Sequence, residues 1–586
     1  MVLDLSIWFS PTRRPRRWLR AAVLAAGIGL TGLCASPPLN AQPPRTHAAQ
    51  TSAPAPARRK QMDELGEVAA LLQSGRLAEA ETQVRQVVRA APRNAAAHTL
   101  LGVILDQLGR MDEAEQSYRA ALQLEPQNVS ALANLGVLLA RTKRLDQAIE
   151  TFEAVLRIEP AHAKAGFNLG ALYAARGDYN RAIPLLERAA GIASPAQVKS
   201  AAKGDVALLL TLVNAYAHAG RGADARTLAA LVEQLAGDDA RTLFTLGLSL
   251  AEGREYAQAA RLFERTNALR PRTFEVLYNL GIALYNLDRL EEAAQALSAA
   301  AAITPNEAEP YYRLGLIASA RGDSKTAIAL WLKALALRPV YPEANFMIGE
   351  ELLKKGIAEN AIQYYASALA QDPAKLIYHI RLGVADFRSQ RYEAARTVFT
   401  EALQRFPADA NLYFLLGYAA RAEGQYDAAI AAFNRSLALK PDNPDVLTNL
   451  GFIADQRGQP EEAERLLRQA IKLDPNSFPA HHDLGRLLVK LKRFDEALPV
   501  LQRGVSLHSD DPGIHYQLFL AYTRLKRKPE AERELAIFKQ FEEANKHAPT
   551  PLGGAPAGTT ASGVDAPPPL PPAVAGESGK PPAPRE

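Results

Sequence analysis

The sequence holds one cysteine, Cys34, and that scarcity closes several routes at once. Cys34 lies in the apolar run 21–35, and removal of that run as a leader would leave no thiol. A disulfide framework, a cysteine-ligated zinc site and a cysteine nucleophile would then all be excluded. Tryptophan is nearly as rare: Trp8 and Trp18 stand near the N-terminus and only Trp331 lies in the body of the chain.

A surplus of charge is missing too. Residues 1–41 carry Arg13, Arg14, Arg16, Arg17 and Arg20 against Asp4 alone, and the rest of the chain balances 63 basic against 62 acidic residues. So even a balance leaves no electrostatic footprint for nucleic acid. Also absent are a phosphate-binding glycine loop, a nucleophile elbow and an HExxH motif. His481, His482 and His515 cluster, but packing accounts for them better than metal binding. No catalytic residue, cofactor or metal is expected.

The longest apolar stretch, "AAVLAAGIGLTGLCA" (21–35), falls short of the ~20 residues that span a bilayer. Its arginine-rich flank and the following "SPPLNAQPP" read as a secretory signal peptide cleaved after Ala41. This predicts export to the bacterial periplasm or cell envelope, with membrane contact only if the segment is retained. A lipid on Cys34 is disfavoured by the bulk of Leu33 before it.

What the chain has in abundance is one phrase. Gly102, Gly136 and Gly170 are 34 residues apart, and the spacing resumes from Gly247 through Gly281, Gly315, Gly349, Gly383, Gly417, Gly451 and Gly485. An alanine follows each of these glycines by twelve, and a proline usually follows by twenty-four. Fourteen units of 34 residues result: 61–94, 95–128, 129–162, 163–196, then 206–239 and onward to 512–545. The period marks a helical repeat array. Within a unit, positions 4, 7, 8 and 11 share one stripe of a first helix, and positions 20, 24 and 27 share a stripe of a second. Position 15 opens the turn between them, and proline at position 32 stops the second helix. A single pair cannot bury its apolar face alone, so neighbours must stack.

The pattern of leucine at position 7, glycine at 8, alanine at 20 and 27 and proline at 32 resembles the tetratricopeptide repeat (TPR) superfamily over residues 61–545. The resemblance implies an all-α TPR solenoid of about fourteen helix–turn–helix repeats that binds other proteins. The organisation expected is a signal peptide 1–41, a Pro/Ala-rich linker 42–60, repeats 1–4 at 61–196, a hinge or insertion at 197–205, repeats 5–14 at 206–545, and a Pro-rich disordered tail 546–586.

In such arrays the first helices line a groove, which positions 2, 5, 6, 9, 12 and 13 would face. Position 5 supplies Phe244, Tyr278, Tyr312, Phe346, Phe414 and Tyr516, a ladder suited to apolar contact with an extended peptide or with sugar rings. Position 6 supplies Asn134, Asn168, Asn279 and Asn449, whose amides can bond a peptide backbone of any sequence. This is similar to the asparagine ladder in the TPR region of O-linked N-acetylglucosamine transferases, although here it is interrupted and no catalytic domain follows. Position 2 supplies Glu275, Glu309 and Glu343 for a basic residue of the ligand. The TPR clamp for chaperone C-termini, with lysine at position 5 and asparagine at 9, is not reproduced. The expected role is a non-catalytic scaffold of the cell envelope that binds extended polypeptide segments. Polysaccharide-export machinery, or a separate enzyme recruiting substrates through this arm, are the alternatives.

Overall fold

The computed structural model describes residues 55–192 and 205–547. The expected signal segment 1–41, linker residues 42–54, residues 193–196 of the fourth repeat, the insertion 197–205 up to residue 204, and the tail from 548 lie outside those residues. The described residues form 28 helices, from Ala55–Gln73 to Lys528–His547, joined pairwise by tight turns into a TPR-like solenoid. They fall into two compact units, one running up to Asn306 and the other from Glu307 on. The first helix begins at Ala55, inside the stretch expected as a linker. Its sequence "APARRKQMDELGEV" shows why: the only proline sits in the first turn, where a missing N–H is tolerated, and good helix formers follow.

From Ala95 on, first helices are 13 residues long and second helices mostly 14, as in Ala95–Gln107 with Met111–Leu124, or Ala410–Ala422 with Tyr426–Leu439. Every residue at position 15 is left-handed. Eight are glycines, and Lys143, Arg254, Asp288, Gln390, Lys492 and Lys526 adopt the same conformation at φ 58–65°. That one residue reverses the chain and lets the next N–H bond back to the first helix, as Arg110 donates to the Leu105 carbonyl at 2.9 Å.

In most units the second turn is fixed by capping at position 34, though Thr273, Glu307, Tyr341 and Lys375 make no side-chain cap. Asn94, Asn128, Asp409, Ser477 and Asp511 each accept a hydrogen bond from the backbone N–H three residues on. These caps satisfy donors that the helix start would otherwise leave orphaned.

Small residues carry the packing inside each pair. All fourteen position-20 alanines are buried, from Ala80 to Ala531. Gly349 shows why position 8 is glycine: a Cβ there would stand 2.6 Å from the ring of Tyr365, which is wholly buried. Trp331 fills the corresponding space over Gly315, and its Nε1–H donates to the Tyr312 carbonyl at 3.1 Å. The first helices of successive pairs also touch each other, as Ala410–Ala422, Pro444–Gln456, Phe478–Lys490 and Pro512–Arg524 do. They therefore form one continuous wall within the unit.

Candidate functional site

The aromatic residues of position 5 divide by environment. In the unit ending at Asn306, Phe244 and Tyr278 are half-buried; Phe244 leans on Phe263 at 5.7 Å and Tyr278 stacks on Phe274 at 5.7 Å. In the unit from Glu307, Tyr312, Phe346 and Phe414 are only 4–6 % exposed. Tyr312 packs on Tyr341 at 4.9 Å, Phe346 on Tyr378 at 5.2 Å, and Phe414 on Tyr418 at 6.0 Å. Their rings are engaged with their own repeats and neighbours, which leaves little face for a ligand. Tyr516 is the open one, 40 % exposed against Phe519 and Phe538.

The asparagines are half-engaged. Nδ2 of Asn134 donates to the Ser130 carbonyl, that of Asn279 to Glu275 and that of Asn449 to Asp445, at 2.7–2.9 Å. Each amide is thus steered by its own helix, one turn back, with the oxygen left to accept. At Asn449 that oxygen is buried and has no hydrogen-bond partner. Asn168 is half-buried.

Among the position-2 acids, Glu309 is committed. Its carboxylate accepts from Tyr341 Oη at 2.8 Å and pairs with Arg338 at 3.3 Å and Arg313 at 3.4 Å. Glu275 and Glu343 are half-buried and have no ion pair among the described residues.

The same wall carries further polar groups. Glu350 joins two elements: it accepts from Tyr365 Oη at 2.7 Å and pairs with Arg381 at 2.9 Å. Glu351, almost wholly buried, is held ionised by Lys354 at 2.7 Å and by Ser319 against the opposing effect of burial. Further along, Asp455 pairs with Lys490 at 2.7 Å and Arg486 at 3.2 Å, while Asp483 pairs with Arg486 at 3.5 Å and His482 at 3.4 Å. The Asp445 carboxyl is pushed above the ordinary carboxylate range by burial. Position 9 has a phenyl or phenol ring at Tyr418 and Phe452, and Arg421 lies over both, its guanidinium carbon 4.8 Å from each centroid. Alternation of rings and guanidinium groups at positions 9 and 12 was the available signal.

The histidines are satisfied by protein. His481 Nδ1 meets the Ser477 carbonyl at 2.8 Å, and His515 bridges Glu534 at 2.6 Å and the Ser509 carbonyl at 3.0 Å. Among the described residues no group of three or more His, Cys, Asp or Glu is disposed around a metal position, and no described helix is long and apolar enough to cross a membrane.

Paired helices, small residues at the crossing and a polar first-helix wall define a helical-repeat binding scaffold. The chain is a tetratricopeptide repeat protein: models of the tetratricopeptide repeat match residues 65–129, 244–308, 107–171 and 143–203. A further model, described as the C-terminal domain of cilia and flagella-associated protein 70, matches residues 327–550. No curated protein matches the chain. Among solved structures, yeast Tom70 is 17 % identical, covering 77 % of this chain and 96 % of its own, with a TM-score of 0.29. The Cut9–Hcn1 complex of the APC/C gives 16 %, 72 %, 95 % and 0.30 for the same quantities. The C-terminal part of a TPR protein from Cytophaga hutchinsonii gives 18 %, 41 %, 99 % and 0.38. Scores this low have no bearing on function.

The match at 327–550 corrects the expected location. It points to a eukaryotic cilium- or flagellum-associated protein rather than to the bacterial periplasm or envelope. The envelope role, the polysaccharide-export alternative and the signal peptide behind both lose their support. The arginine-rich leader that suggested them lies outside the described residues.

Proposed function

We propose that this TPR scaffold binds extended polypeptide segments along the first-helix wall of each unit. One observation carries the proposal: buried polar groups with bonding capacity to spare stand on that wall, the Asn449 oxygen above all. A buried polar atom without a partner costs free energy, so a wall that keeps one is suited to receiving a ligand group. Half-buried Phe244 and Tyr278 and exposed Tyr516 supply apolar contact, while Asn134, Asn168, Asn279 and Asn449 supply amide acceptors. Glu275 and Glu343 remain for a basic residue of the segment. The match to the C-terminal domain of cilia and flagella-associated protein 70 supports a ciliary or flagellar setting for this binding. TPR and related domains are typically non-catalytic.

Site-specific photocrosslinking tests the reading. A benzophenone amino acid at Asn411, on the wall, should capture discrete peptide segments of partner proteins. The same probe at Thr397, exposed on the second helix Tyr392–Arg405, should capture none. Equal capture from both positions would contradict a dedicated wall.

A further inference from the structure

Arg421 is a buried guanidinium of this wall. It is 8 % exposed, and among the described residues no carboxylate lies within ion-pair distance of it. Its Nε–H is buried with no acceptor. Tyr418 and Phe452 hold the planar group between them. Arginine keeps its proton at any accessible pH, so this site cannot relieve its burial by becoming neutral. Stacking on two rings returns only part of the cost of removing a cation from water.

The carboxylates of the neighbouring first helices make no ion pair with Arg421 among the described residues. Asp455 and Asp483 lie on the following two first helices but are already paired with Lys490, Arg486 and His482. Asp445, whose carboxyl burial pushes above the ordinary carboxylate range, makes no ion pair among the described residues. Arg486 faces the same Phe452 ring at 5.3 Å, so a second guanidinium is directed at the same place. On the helix that carries Phe452, the Asn449 oxygen, one turn earlier, is buried and unbonded. A cation with a spare N–H and a spare acceptor on the adjacent first helix offer a ligand two points of attachment. One point suits an oxyanion, and the other suits the N–H of the chain that carries it.

We propose that Arg421, with Phe452, Arg486 and Asn449, forms a subsite for an acidic side chain, Asp or Glu, of the bound polypeptide. This rests on the wall-binding reading and adds to it a ligand chemistry. Arg421 supplies the charge, Tyr418 and Phe452 fix its plane, and the Asn449 oxygen accepts from the ligand backbone next to the acid. Specificity follows from the isolation of the charge: a neutral amide in place of the acid leaves the guanidinium uncompensated.

The experiment uses the full chain and two fluorescein-labelled ten-residue probes, one of alternating Glu and Ser, the other with Gln at every Glu. Fluorescence anisotropy at fixed salt reads binding, and thermal melting reads stability. The wild type is expected to bind the Glu probe at least tenfold more tightly than the Gln probe. Arg421→Met, which keeps the aliphatic stem, is expected to abolish that preference while its melting temperature stays level or rises, because an unpaired buried charge has been removed. Arg421→Lys is expected to retain part of it. Equal binding of both probes by the wild type would overturn the acidic subsite and leave wall binding standing. Binding of neither probe, or an Arg421→Met variant that keeps the preference, would overturn the subsite as well. A variant that loses preference and melts well below wild type would reassign Arg421 to a packing role.

Discussion

At the scale of the residue, two positions in each repeat have opposite tolerance for a side chain. Position 8 has no room: at Gly349 a Cβ would fall 2.6 Å from Tyr365, whose ring is fully enclosed and cannot give way. Gly349→Ala is therefore expected to cost about 1–3 kcal/mol in chemical denaturation, as overpacking does. Position 15 lacks the right backbone instead. Lys492 is left-handed at φ 63°, which burdens any residue with a Cβ. Lys492→Gly is expected to stabilise by about 1 kcal/mol in the same measurement. The glycine and alanine positions were legible in the sequence because their spacing alone carries them. The burial of Tyr312 and Phe346 was not. It depends on Tyr341 and Tyr378, residues at positions 34 and 3 that follow no repeat-wide rule. The Arg421 subsite escaped for a similar reason, since it combines positions 6, 9 and 12 from three different repeats.

At the scale of the element, the second helices are tied across repeats by a recurring ion pair. Arg144 reaches back to Glu115 with contacts of 2.9 and 2.6 Å, and Arg493 reaches back to Glu464 at 2.6 Å. The hydrogen bond from each arginine holds its glutamate below the ordinary value of 4.5. A carboxyl group depressed in the folded state adds stability above its unfolded value and loses it as the pH falls through the folded one. The melting temperature should therefore drop as the pH is lowered below about 4.5. In an Arg144→Gln, Arg493→Gln variant this drop should be smaller, because the two glutamates then titrate more nearly as they do unfolded. An unchanged drop would mean that other carboxylates dominate acid unfolding. The pairs were present in the sequence as arginine at position 16 and glutamate at position 21. They recur in too few repeats to stand out from a solvated face.

At the scale of the whole molecule, the 34-residue period determines what kind of stability to expect. Each helix pair packs on its neighbours, so distant segments need not unfold together. Trp331, the only tryptophan among the described residues, reports on the repeat around Gly315, whereas circular dichroism reports on every helix. The two probes should give different denaturation midpoints; coincident ones would indicate a single cooperative unit. The binding role rests on the same construction, because stacking aligns the first helices into a wall whose polar groups are only partly used. Hydrogen–deuterium exchange of the full chain, with and without a segment identified by crosslinking, tests this most directly. Binding should slow exchange in Ala410–Ala422, Pro444–Gln456 and Phe478–Lys490 and leave Tyr426–Leu439 and Pro460–Leu473 unchanged. Protection confined to those second helices, or to the ends of the array, would contradict the account.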